Sequence, residues 1–189
     1  LRRSPKEQLE SWPMSAATKK SQYTIARVLH WAAGIIIIFN LLSGWRLGGF
    51  PLETKQMLLM IHSGVGTVIF LVMLFRWWWR RTNKLYVPPR WWKRPSMLLQ
   101  WVLYPLTLLQ AVIGVTLAGF IDYEVVAFGF IPYSDIATDN EGLQAFFLQL
   151  HAINAWLLIV LIVAHFIERW RMIFIDDVKP ASVQEPASP

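Results

Sequence analysis

Four residues of this chain combine metal-ligand chemistry with an unusual setting: His30, His62, His151 and His165, all the histidine in its 189 residues. Neutral imidazole is the commonest protein ligand for metals. All four lie inside long apolar runs. There an ionisable side chain is costly unless it binds something, relays a proton or bonds a neighbouring helix. In "LHAINAWLLIVLIVAH", His151 and His165 stand fourteen residues apart. At about 100° per residue, fourteen steps fall about 40° short of four full turns. A helix would therefore present both rings on nearly one face, about 21 Å apart along its axis.

The elements that must position these rings are read from hydropathy. The chain is 55% hydrophobic and 16% charged, with a mean hydropathy of +0.39. Its apolar residues form continuous runs at about 25–47, 56–79, 96–120 and 143–172. Each supplies the roughly 20 apolar residues that a spanning helix needs. Continuous rather than alternating runs select helices over a barrel. The sequence predicts an all-α membrane protein, an antiparallel bundle of four transmembrane helices occupying 23–172. A polar tail, 1–22, precedes it, and a disordered tail, 173–189, follows. The absence of cysteine excludes disulfides, thiolate metal sites, iron–sulfur clusters and covalently attached c-type haem.

Charge orients the bundle. Sixteen of the eighteen Lys and Arg residues lie before or at the start of the first run, in the second connection, or after the fourth run. Arg46 and Lys55 are the two on the other side. Positive charge stays cytoplasmic, so both termini are expected there. The net charge of +6 is thus topological and implies no nucleic acid. The tryptophans at 77–79 and 91–92 read as anchors at the lipid interface, or as a stacking platform for a quinone ring.

Topology then assigns heights. His30 lies on the cytoplasmic side of helix 1, and His165 on the cytoplasmic side of helix 4. His62 and His151 both lie near the outer ends of their helices. Two histidines on different helices at one height match the two axial ligands of a haem iron. Zinc or di-iron sites need three or four converging ligands, usually with carboxylates. Proton relays and interhelical hydrogen bonds are the other physical roles. Gly34, Gly66 and Ala155 follow His30, His62 and His151 by four residues, one turn away on the same face. Such small residues leave clearance for a porphyrin, and they also serve ordinary helix packing.

The stretches "YTIARVLHWAAGI", "IHSGVGTVIFLVMLFRWWWR", "YPLTLLQAVIG", "FGFIPY" and "LHAINAWLLIVLIVAHFIERW", with the "PP" of the second connection, resemble the bacterial cytochrome b561 family over about residues 23–172. The resemblance implies a di-haem b-type cytochrome of the bacterial inner membrane, with His30, His62, His151 and His165 as the axial ligands of two b-type haems. It implies electron exchange with ubiquinone. Members of one kind are oxidoreductases that oxidise superoxide at the outer face and reduce quinone. Others are electron carriers or cytochrome subunits anchoring larger respiratory or photosynthetic redox complexes. Lys93, four after Pro89, matches a position the resemblance associates with quinone. Where the third helix of the family often opens with Ala-His, this chain has "SMLLQW", with Met97 and Gln100.

Haem propionates attract cations. Arg27, three before His30, and Arg76, closing helix 2 at the same height, are the candidates on the cytoplasmic side. Arg46 is the candidate on the outer side. Each also reads as a topological arginine whose stem lies along the apolar face. Outside, Arg46 and Lys55 face six acids, Glu53, Asp122, Glu124, Asp135, Asp139 and Glu141, a net of −4. Such a face repels superoxide at long range and attracts a basic periplasmic protein, such as a soluble cytochrome c.

Overall fold

The computed structural model describes residues 16–45, 47–83, 92 and 95–174. Residues 1–15 of the expected tail 1–22, residues 175–189 of the expected tail 173–189, Arg46 and Lys93 lie outside the described residues.

Helix α1 is Ala16–Gly44, α2 is Leu52–Thr82, α3 is Pro95–Ala118 and α4 is Glu141–Phe174. Among the described residues, these four are long and apolar enough to cross a membrane. Helix α1 begins earlier than hydropathy indicated, within the expected polar tail. Ala16, Ala17, Lys19 and Lys20 are good helix formers, so the helix continues into water where its apolar stretch ends. Pro95 opens α3 at a position where a missing N–H is harmless. Asn140 caps α4 by accepting the Leu143 N–H at 3.0 Å on its side chain, and Glu141 complements the helix dipole in the first turn. At the opposite end of the bundle, Gln22 donates to Asn83 at 3.0 Å, tying the start of α1 to the end of α2.

Helix α1 packs on α2, α2 on α3, and α3 on α4. The backbone of α4 keeps its distance from α1 and α2. Side chains bridge that gap: His30 to His165, His62 to His151, and Trp45 to Trp156, whose rings lie 4.7 Å apart. A buried cluster of Ala33, Ile69, Met73 and Tyr104 joins α1, α2 and α3 between the two histidine levels. Large apolar side chains such as Trp31, Ile35, Leu71, Val160 and Phe166 are exposed on the outside of the bundle. In water this would be a liability, but in a bilayer it is the lipid contact.

The outer connection between α3 and α4 is more ordered than a loop. Strands β1 (Val126–Ala127) and β2 (Ile131–Pro132) pair antiparallel, Val126 with Pro132 and Ala127 with Ile131. Phe128 and Gly129 turn the hairpin with φ of 53° and 79°. A left-handed backbone is unfavourable for a bulky residue, and cross-contacts hold it there. The Phe128 N–H donates to Met60 O at 3.3 Å. Its ring lies on Gly64, where an added Cβ would come within 2.6 Å of it. The Thr67 hydroxyl donates to Ser63 O, so the Tyr133 hydroxyl, 2.6 Å away, donates to Thr67. The hairpin is thereby fastened to the face of α2 that carries Met60, Gly64 and Thr67.

Candidate metal centres

The structure brings the histidines together in two pairs. The rings of His62 and His151 are 6.3 Å apart between centres, with planes at 72°. Those of His30 and His165 are 5.9 Å apart at 86°. Each pair joins α4 to a helix that α4 does not otherwise pack against closely. Among the described residues no three His, Cys, Asp or Glu side chains converge as a metal-binding group. The donor sets are therefore pairs of imidazoles, unlike zinc or di-iron sites.

The surroundings of the outer pair come from glycines that the sequence reading did not single out. A Cβ added at Gly44 of α1 would lie 2.8 Å from Cε1 of His62, and one at Gly114 of α3 would lie 3.0 Å from Cε1 of His151. Each outer ring rests on bare backbone of the neighbouring helix. Gly34 is open, with nothing within 4 Å of an added Cβ, and a Cβ at Gly66 would meet the Asn40 amide at 3.6 Å. Gln110 of α3 donates to the backbone carbonyl of His151 at 3.1 Å. Buried Asn154 donates to Gln110 at 2.7 Å and to Leu106 O at 3.1 Å. These bonds fix the rotation of α4 against α3 at the height of His151.

The inner pair is surrounded by guanidinium groups. Arg76, Arg169 and Arg80 are within electrostatic reach of His30. Arg76 lies over the Tyr104 ring, 5.3 Å from its centre. Arg80 lies over Tyr104 and Trp101 and donates to Gln100 at 3.4 Å. Arg27 is exposed on α1.

One interval connects the levels. His165 follows His151 by fourteen residues, and so do Arg76 after His62, Gly44 after His30 and Gly114 after Gln100. Every helix thus contributes one residue per level from one face. Halfway along stand Ile37, Ile69, Thr107 and Leu158, of which Ile69, Thr107 and Leu158 are buried. A seven-residue step is the repeat that keeps a seam facing inward in a gently supercoiled bundle.

Residues 22–168 match the family described as prokaryotic cytochrome b561. The chain belongs to the prokaryotic cytochrome b561 family. No match was found among curated proteins. Family membership makes the chain a multi-pass membrane b-type cytochrome that transfers electrons. The residues present fit b-type haem. Ring centres 5.9 and 6.3 Å apart leave room for one metal atom bonded to both rings at about 2 Å each. Nδ1 of His30, His151 and His165 is buried without a hydrogen-bond partner. These three rings are therefore not held in place by interhelical hydrogen bonds through Nδ1, which weakens the purely structural role for them.

Proposed function

We propose that this cytochrome holds two b-type haems, one per leaflet, and carries electrons across the bacterial inner membrane between a redox protein at the outer face and the ubiquinone pool. The observation that supports this most is the two facing imidazole pairs, set one fourteen-residue step apart on a single face of α4. His62 and His151 hold the outer haem, and His30 and His165 the inner one. Bound there, haem iron supplies a one-electron couple whose potential follows its ligands, their hydrogen bonds and its burial.

The remaining roles belong to side chains of the chain itself. Gly44 and Gly114 let the Cε1 edges of the outer imidazoles approach α1 and α3 closely. Arg76, with Arg80 and Arg169 nearby, supplies positive charge for the propionates of the inner haem. Ile69 and Leu158 fill much of the layer between the levels with hydrocarbon and separate the two sites.

The outer loop favours a basic protein partner over superoxide. Asp122, Glu124, Asp135 and Asp139 line a shallow, open depression on that face, and their field attracts cationic surfaces and repels anions. Quinone is assigned to the cytoplasmic side, where Lys93 remains the candidate contact. The cytoplasmic placement of both termini is supported by the sixteen cations gathered on that side.

The test is the reduced-minus-oxidised spectrum and haem content of the purified chain. Two b-haems per chain are expected, and a haem-free, folded protein contradicts the proposal.

A further inference from the structure

We infer that Ser43 is a positioning residue for His62: it fixes the imidazole proton on Nδ1, turns the Nε2 lone pair toward His151, and lowers the potential of the outer haem relative to a site without it. This rests on the reading that His62 and His151 hold a haem.

The inference comes from proton accounting at one turn of α1. Ser43 Oγ lies 2.9 Å from the Asn40 carbonyl and donates to it. A hydroxyl has one proton to give. With that proton committed, Oγ meets Nδ1 of His62, 3.1 Å away, as an acceptor. Nδ1 therefore carries hydrogen, and in neutral imidazole the free lone pair then sits on Nε2. Gly44, the next residue, seats the ring edge against the same turn. Asn40, Ser43 and Gly44 thus form a cradle that sets both the proton and the orientation of one ligand.

The contrast lies within the molecule. Nδ1 of His151, His30 and His165 is buried without a partner. A ligating imidazole whose N–H is given to an acceptor is a more basic ligand, and a more basic ligand stabilises the ferric state. Ser43 therefore lowers the outer potential. The guanidinium groups around His30 favour the ferrous state at the inner level. Both effects slope in one direction, from the outer site to the inner one, and so toward quinone.

The experiment is a redox titration of the purified holoprotein, followed in the haem bands, for the unmodified chain, Ser43→Ala and Ser43→Thr. The outer haem is identified as the one missing in His151→Ala. In Ser43→Ala the outer potential is expected to rise, changing the ferrous-to-ferric ratio at fixed ambient potential about tenfold, or about 59 mV for a one-electron couple. Ser43→Thr keeps the hydroxyl and should stay near the unmodified value, and the inner potential should not move in either variant. Loss of the outer haem in Ser43→Ala with retention in Ser43→Thr would also support the role. An unmoved outer potential, equal effects of Ala and Thr, or equal shifts of both haems would overturn it. Failure of the unmodified chain to bind haem would instead remove the underlying reading.

Discussion

At the residue scale, the outer site depends on what is absent from two side chains. Gly114→Ala would place a methyl group 3.0 Å from Cε1 of His151. The ring must yield by a few tenths of an ångström, in a setting where overpacking costs about 1–3 kcal/mol. We predict that Gly114→Ala lowers occupancy or shifts the spectrum of the outer haem alone, read as the haem-to-protein ratio and the position of the reduced α-band. Gly34→Ala is the control, because nothing lies within 4 Å of its added methyl group. It should leave both haem signals in place. The histidines were legible in the sequence because their spacing and the chain topology fix their heights. Gly44, Gly114 and Ser43 were not. Their importance lies in contacts across helices, and hydropathy does not say which helix faces which. The fourteen-residue step seen in α4 would have pointed to Gly44 had it been applied to α1 as well.

At the scale of elements, the hairpin between α3 and α4 is locked to α2 by a ring in a notch. Gly64→Ala would bring a methyl group to 2.6 Å from the Phe128 ring, too close to coexist with it. We predict a loss of about 1–3 kcal/mol in stability, measured as a lower thermal or denaturant midpoint in detergent. Phe128→Ala removes the ring, so the double variant should recover much of the Gly64→Ala loss, the non-additivity expected of contacting residues. Additive losses would show that the notch is not where the ring lies. Tyr133→Phe should cost about 0.5–1.5 kcal/mol through its bond to Thr67. The four helices were legible because lipid forces each span to satisfy its own backbone. The hairpin was not, since its strands are two residues long and its order comes from docking onto α2. The early start of α1 was hidden for a related reason: hydropathy marks where a helix enters lipid, not where it begins.

At the scale of the whole molecule, charge distribution is what supports the proposed orientation and partner. The outer loop gathers Asp122, Glu124, Asp135 and Asp139 around one open depression. We predict that electron exchange with a basic soluble cytochrome c slows steeply as ionic strength rises, because screening over about 10 Å at 0.1 M removes the steering. Stopped-flow rates across a salt series check this. A rate that rises with salt would point instead to an anionic donor such as superoxide, whose repulsion from the face would be screened. The bundle's division into a glycine-lined layer, a mostly apolar middle and a cationic layer follows from one face per helix read at seven-residue steps. Its two ends therefore differ in chemistry although they share a backbone.

The central claim is that the four histidines form two independent bis-imidazole haem sites at two levels. Haem content and redox titration of purified His62→Ala, set beside His30→Ala and the unmodified chain, test it most directly. Two haems are expected in the unmodified chain and one in each variant, with the potential that survives in His62→Ala being the one lost in His30→Ala. Removal of the same haem by both substitutions, in protein that remains folded, would contradict the pairing.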